Sequence, residues 1–167
     1  LYLAGCAMVL CRCGDTVPAA LGEILRGAFL PRAAGGGFVG STLATALRYG
    51  TARGLFTNES GMGTAPLAAA AGPGERPEDE ALVSMTGVFW DTVVLCAMTG
   101  VTLVAAMLKY PALFQGAGAG TMCLRAFSCI PGGEWILTIS LLTFAFSTVV
   151  GWCYYGECCV EYLLGKR

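Results

Sequence analysis

The chain of 167 residues is 56% hydrophobic and only 13% charged, and it contains 24 glycines but no histidine. Soluble domains carry roughly a quarter charged residues and about 7% glycine, so this composition, with a mean hydropathy of +0.67, predicts a membrane protein. A net charge of −1 excludes the basic surface on which nucleic-acid binding depends. The lack of histidine excludes Ser-His-Asp and Cys-His catalysis and any imidazole metal ligand.

The nine cysteines are interpreted as small apolar residues, because free cysteine is readily buried. The closest pairs, Cys11/Cys13 and Cys158/Cys159, lack the CxxC spacing of zinc and thioredoxin-like sites. The sequence therefore predicts no cofactor.

The chain begins with Leu1 inside an apolar run that continues to Leu10. No positively charged region precedes this run, so it lacks the pattern of a signal peptide. We interpret the run as the end of a helix and expect the chain to be a portion of a longer protein.

The apolar segments predict an all-α, polytopic membrane protein. A spanning helix needs about 20 mostly apolar residues, and residues 135–156 contain no charge at all. The predicted elements, in chain order, are the end of a helix (1–13), an interfacial helix (17–30), a span (33–50), a broken helix (54–72), a span (81–108) and a span (133–163). The polar connector 73–80 is predicted to be a water-exposed loop, which leaves the next span to begin at Ala81.

The densest polar signal is the run Arg53-Gly-Leu-Phe-Thr-Asn-Glu-Ser-Gly-Met-Gly-Thr-Ala-Pro66. Side-by-side polar residues at 58–60 cost free energy in a membrane unless each finds a partner. The glycines at 61 and 63 allow backbone geometries that other residues resist. The run therefore predicts a helix that stops, exposes its backbone and restarts near Thr64, with Pro66 in the first turn of the second half.

A broken helix of this kind can bind an anion and a cation together. The start of its second half presents free N–H groups to a carboxylate, and carbonyls of the unwound stretch can face sodium. This chemistry is typical of a sodium-coupled amino-acid transporter. The alternative is a kinked packing helix in which Glu59 pairs with an arginine and the glycines let neighbouring helices approach closely.

A second candidate site lies in the last span, where Ser147 and Thr148 place adjacent hydroxyls. Hard cations take oxygen ligands, and hydroxyls supply them without burying another charge. Trp152 lies four residues after Thr148, so both side chains project from one helix face. The alternative is that the hydroxyls bond their own helix carbonyls four residues earlier.

Asp91 is the third candidate, since an intramembrane carboxylate is a functional hypothesis by default. A partner such as Arg53 would instead make it structural. Two other classes of function remain open: an intramembrane enzyme with Glu59 or Asp91 as acid or base, and a purely structural membrane subunit. The missing histidine counts against the enzyme.

Four ordered segments carry a resemblance to a known family. Gly54-Leu-Phe-Thr-Asn-Glu-Ser-Gly-Met-Gly-Thr-Ala-Pro66 resembles the signature of the sodium:alanine symporters (amino-acid carrier proteins), which typically reads GLFSNEAGMGSAP, with small-residue departures at positions 57, 60 and 64. The other three segments are Gly36-Gly37-Phe38-Val-Gly40, Gly87-Val-Phe-Trp-Asp-Thr92 and Gly151-Trp-Cys-Tyr-Tyr-Gly-Glu157. The resemblance covers nearly the whole chain.

The resemblance implies an inner-membrane, multi-pass transporter with the leucine-transporter type of inverted-repeat fold, of which this chain is a middle-to-late portion. The implied activity is symport of sodium with a small neutral amino acid, alanine or glycine. The alternatives are another sodium- or proton-coupled amino-acid carrier and a non-functional transporter fragment. Because the broken helix of the first repeat is missing, the chain alone is expected not to transport.

The predicted site residues fall into three groups. Substrate binding is assigned to Thr57, Asn58, Gly61, Met62, Gly63, Thr64 and Trp152, sodium binding to Ser147 and Thr148, and a structural or coupling role to the carboxylates of Glu59 and Asp91. The predicted partners are the amino acid, sodium and the lipid bilayer.

Overall fold

The structure, a computed structural model, describes residues 1–29, 58–59, 63–72 and 76–165. In this part of the chain every regular element is a helix. The longer elements are α1 (Tyr2–Arg12), α2 (Val17–Phe29), α3 (Ala65–Ala70), α4 (Pro77–Lys109), α5 (Met122–Phe127) and α6 (Gly133–Leu164), with short 3-10 turns at Gly14–Thr16, Pro111–Phe114 and Ala119–Thr121. The predicted span 33–50 and the first residues of the predicted broken helix, 54–57, lie outside the described residues.

Helices α4 and α6 are each long and apolar enough to cross a membrane, with 33 and 32 residues. A crossing of the hydrocarbon core takes about 20 residues, so both helices exceed the requirement. Their large apolar side chains remain exposed within the chain, among them Leu142 and Phe146 of α6. Such surfaces are stable in contact with lipid rather than with water.

Helix α4 begins at Pro77, one turn before Ala81, where the apolar pattern of the predicted span 81–108 begins. Proline is favoured at the first position of a helix because its missing N–H has no helical partner there. Glu78, Asp79 and Glu80 occupy the first turn, where negative side chains stabilise the positive end of the helix dipole. The three acidic residues interrupt the apolar pattern but not the helix. Hydropathy alone therefore does not locate the first residue of α4.

Helix α4 contains a π-helical segment in its middle, Trp90–Cys96, between α-helical stretches Pro77–Phe89 and Ala97–Lys109. Thr92, Val93 and Val94 are consecutive β-branched residues within it, and such residues crowd the preceding turn of an α-helix. The π geometry is rare and is frequent at functional sites. It begins beside Asp91.

The described residues fall into two compact units. The first comprises residues 1–29 and 94–141. Small residues of α4, Ala105 and Ala106, are fully buried against Val9 of α1 and Ala20 of α2, because small side chains let helix backbones approach closely. Phe127 of α5 belongs to a second buried cluster, with Cys6 and Leu137, and stacks on Tyr2, with ring centroids 5.8 Å apart.

Within this unit, polar side chains bond α4 to the end of α1 and to the 3-10 turn that follows it. The hydroxyl of Thr16 donates to the carbonyl of Ala105 at 3.0 Å. The Lys109 ammonium donates to the Arg12 carbonyl at 2.8 Å and to a carboxylate oxygen of Asp15 at 2.5 Å. The hydrogen bond from Lys109 holds the pKa of the Asp15 carboxyl below its usual value. The carbonyl at the end of α1 thus gains a partner that the helix itself cannot supply.

The second unit comprises residues 58–59, 63–72, 76–93 and 142–165. In it the end of α3 lies against the first turn of α4. A Cβ atom on Gly72 would meet the carboxylate of Glu80, which is the end of a flexible side chain and can rotate away. The unit contains the predicted polar segment and the carboxyl-terminal part of α6.

Replacement of Gly133 by alanine tests the packing of the first unit. An added Cβ would overlap the backbone carbonyl of Phe127, which cannot rotate away. We expect Gly133→Ala to lower the free energy of unfolding by about 1–3 kcal/mol, measured by thermal unfolding of the purified full-length protein in detergent. The matched control is Gly22→Ala, where a Cβ meets nothing within 4 Å; an equal loss in both variants would contradict the packing argument.

Candidate functional site

The candidate site is built around residues 58–64, which we call the polar interruption. The structure describes Asn58, Glu59, Gly63 and Thr64 of it. Glu59 has a φ of 51° and Gly63 a φ of 82°, both in the left-handed region. Glycine adopts this region freely, but a glutamate there stores about 1–2 kcal/mol of backbone strain. Side-chain hydrogen bonds of Asn58 and Glu59 therefore have to hold this backbone conformation.

Thr64 supplies one of these contacts. It is the residue that precedes α3, and its side chain is 9% exposed. Its hydroxyl donates to the Oε2 atom of Glu59 at 2.6 Å. Helix α3 then begins at Ala65 with Pro66 in its first turn, in the region where the sequence predicts a restart. This hydrogen bond joins two residues of the polar interruption, Glu59 and Thr64, to each other.

Asn58 supplies a second contact, which reaches α4. Its Nδ2 atom lies 3.1 Å from the Thr92 hydroxyl oxygen, and its Oδ1 atom lies 3.2 Å from that same oxygen. The hydroxyl can therefore accept from the amide nitrogen or donate to the amide oxygen. Thr92 lies on the π-helical segment of α4, so this segment holds the residue immediately before Glu59.

An open cleft of about 1200 Å³ lies beside the polar interruption. Its walls come from the interruption itself, from one side of α3, from the amino-terminal part of α4 and from Tyr155 of α6. The charged residues among the described lining are all acidic: Glu59, Asp79, Glu80 and Asp91. A cleft lined by one sign of charge attracts counter-ions, and this cleft attracts cations.

The structure brings some predicted site residues together at this cleft. Asn58, Glu59, Gly63 and Asp91 all line it. Ion pairs among the described residues are Arg26–Glu23 and Lys109–Asp15, so Glu59 and Asp91 pair with no described arginine. Arg53, the partner that would make Asp91 structural, lies outside the described residues.

Other predicted residues lie elsewhere on α6. Ser147, Thr148 and Trp152 are exposed and do not belong to the described lining of the cleft. Trp152 packs edge-to-face on Tyr155, with ring centroids 6.0 Å apart, and is thus next to the cleft wall. The Thr148 hydroxyl donates to the Phe144 carbonyl at 2.9 Å, which is the local bond expected in the alternative interpretation. That bond uses the proton and leaves oxygen lone pairs for a cation.

Three predicted substrate-binding residues, Thr57, Gly61 and Met62, lie outside the described residues. Thr92 and Tyr155 were not predicted as site residues, although both belong to segments that carry the family resemblance. For Thr92 the available signal was the run of three β-branched residues, which is unusual in an α-helix interior. For Tyr155 it was an aromatic residue three positions after Trp152, on a neighbouring part of the same helix face.

Comparison with known proteins agrees with the sequence motifs. The sequence model of the sodium:alanine symporter family matches residues 1–167, which is the whole chain. An uncharacterized transporter of Haemophilus influenzae is 46% identical over 100% of the chain and 37% of its own length. The sodium/alanine symporter AgcS of Methanococcus maripaludis is 45% identical over 99% of the chain and 36% of its own length.

The name of a more distant relative contains a different amino acid, glutamine. The probable sodium/glutamine symporter GlnT of Bacillus subtilis is 33% identical over 98% of this chain and 33% of its own length. The chain therefore spans about a third of the length of the curated relatives it matches.

Replacement of Thr64 by valine removes the hydroxyl while keeping the side-chain shape. We expect Thr64→Val to lower the free energy of unfolding by about 1–2 kcal/mol, because the Glu59 carboxylate loses a charge-assisted hydrogen bond. We also expect faster hydrogen exchange in peptides that cover residues 58–72 of the full-length protein. Thr64→Ser keeps the hydroxyl and is the control. Unchanged exchange in the valine variant would show that this bond does not hold the polar interruption.

Proposed function

Since the chain belongs to the sodium:alanine symporter family, we propose that it forms part of a transporter that moves a small neutral amino acid, alanine or glycine, with sodium across the cell membrane. The activity is proposed for the longer protein, because the chain spans about a third of its relatives. The observation that carries the proposal is the polar interruption beside an acidic cleft in a chain that also contains two long apolar helices.

The acidic cleft supports the cation part of the proposal. Sodium prefers oxygen ligands, like other hard cations, and carboxylates that line a cleft raise its local concentration. We assign the sodium ligands to the hydroxyl oxygens of Ser147 and Thr148. Glu59 and Asp91 contribute negative potential in this proposal rather than the ligand atoms themselves.

The polar interruption supports the amino-acid part. In this proposal the substrate carboxylate meets backbone N–H groups of residues 61–64, and its small side chain contacts Met62 and Trp152. Backbone atoms are available to a ligand only where a helix is interrupted, because elsewhere they bond within the helix. Sodium and substrate favour the same closed state, so each raises the affinity of the other.

A small neutral amino acid is proposed as the substrate because the family is described as sodium:alanine symporters and the relative AgcS is named a sodium/alanine symporter. The name of a second relative contains glutamine, and this makes a larger neutral amino acid the competing candidate. A proton as the coupling ion is a further candidate, because two carboxylates, Glu59 and Asp91, line the same cleft.

Uptake by the full-length protein in sealed vesicles tests the proposal. We expect an inward sodium gradient at fixed pH to drive uptake of labelled alanine or glycine, because the proposed site couples the two ligands. A pH jump without sodium is the parallel experiment, and unlabelled glutamine is the competitor. Uptake driven by the pH jump alone would replace sodium with a proton, and glutamine competing better than alanine would replace the substrate.

The double variant Ser147→Ala, Thr148→Ala tests the sodium ligands. We expect the sodium concentration for half-maximal uptake to rise about tenfold or more, because two hydroxyl ligands worth roughly 1 kcal/mol each are lost. Thr138→Ala is the matched control on the same helix, since the Thr138 hydroxyl donates to its own helix at the Glu134 carbonyl. Sodium activation that stays unchanged in the double variant would remove both residues from the site.

A further inference from the structure

The Thr92 hydroxyl reaches a distant segment of the chain, unlike the Thr86 hydroxyl on the same helix. Thr86 and Thr99 on α4 donate to their own helix, at the carbonyls of Val83 and Leu95. Thr92 lies between them in sequence, but its hydroxyl is within 3.1–3.2 Å of both polar atoms of the Asn58 amide, which lies 34 residues away in the chain. Thr92 therefore makes a tertiary contact, as Thr99 does with the Tyr2 hydroxyl at 2.6 Å, whereas the bond of Thr86 is local.

The place of this contact in the molecule is also particular. Thr92 is next to Asp91, which lines the cleft, and both belong to the first turn of the π-helical segment. Asn58 is next to Glu59, whose backbone is in the left-handed region and whose carboxylate accepts the Thr64 hydroxyl. The contact consequently fixes the upstream end of the polar interruption, while Thr64 fixes the downstream end.

Among the described residues of the polar interruption, the bond between Glu59 and Thr64 lies within the interruption. The bond between Asn58 and Thr92 is the described one that joins it to α4. We propose that Thr92 is a positioning residue of the transport site: its hydroxyl holds Asn58 against α4 and so sets where the polar interruption stands beside the cleft. This inference rests on the proposed function, because the site that Thr92 positions is the proposed amino-acid and sodium site.

The test compares Thr92→Val with Thr92→Ser in the full-length protein in vesicles. Valine keeps the branched shape without the hydroxyl, and we expect the KM for the amino acid and the half-maximal sodium concentration each to rise roughly three- to tenfold. We expect the maximal rate per folded protein to stay within about twofold, because Thr92 contacts neither ligand. Thr92→Ser should restore both values to near those of the unchanged protein.

The control is Thr86→Val, which removes a hydroxyl from the same helix where the bond is local. It should leave both concentrations unchanged. Equal shifts in Thr86→Val and Thr92→Val would overturn the proposal, and so would a loss of folded protein in Thr92→Val with unaltered KM, since that result describes a purely structural residue.

A double-mutant cycle tests the contact without any transport. Unfolding of the solubilised protein is measured for Asn58→Ala, Thr92→Val and the combined variant, and we expect the combined loss to be smaller than the sum of the single losses. Additive losses would overturn the contact. If the unchanged protein takes up no amino acid while the cycle shows coupling, the proposed function fails and the link between Asn58 and Thr92 survives, so the two failures are distinguishable.

Discussion

A polar group that leaves water costs free energy unless another group replaces the water, and this constraint governs the polar interruption. A continuous helix satisfies its backbone internally, but a segment that departs from helical geometry must be held by side chains. Here the replacements are hydroxyls: Thr64 donates to Glu59, and Thr92 bonds the amide of Asn58. The hydrogen bond between the Glu59 carboxylate and the Thr64 hydroxyl offsets the strain of the left-handed backbone at Glu59. The remaining features of the cleft depend on this arrangement, since the interruption forms one of its walls.

Helix α4 serves both compact units, each through a different half of its length. Its carboxyl-terminal half packs by small buried residues, Ala105 and Ala106, and ends at Lys109, which binds the turn after α1. Its amino-terminal half contributes acidic and small residues to the cleft and reaches Asn58 through Thr92. The π-helical segment lies between these halves.

The all-α class was predictable from the sequence, because long apolar runs without histidine or basic clusters leave few other architectures. The position of the polar residues 58–60 was predictable because polar side chains are rare within long apolar runs and are therefore conspicuous there. The start of α4 was not, because Pro77 and three acidic residues continue a helix that hydropathy alone ends. Thr92 was missed because its partner lies 34 residues away, and a contact at that separation depends on how the segments pack. The left-handed backbone at Glu59 was missed because sequence reasoning gives that geometry to glycine, as it does correctly at Gly63.

The balance of strong and weak contacts fits alternating access, which the proposed function requires. The α-helical stretches of α4 and α6 satisfy their backbone groups by many hydrogen bonds within each helix. The described residues of the polar interruption are held by hydroxyl bonds, each worth about 0.5–1.5 kcal/mol net, or somewhat more where a carboxylate takes part. In the proposed function, a second arrangement without these bonds would differ from the first by a few kcal/mol. A ligand shifts such an equilibrium by its difference in affinity for the two states, and a few kcal/mol is within reach of one amino acid and one cation. In the proposed function, movement is thus concentrated at the polar interruption.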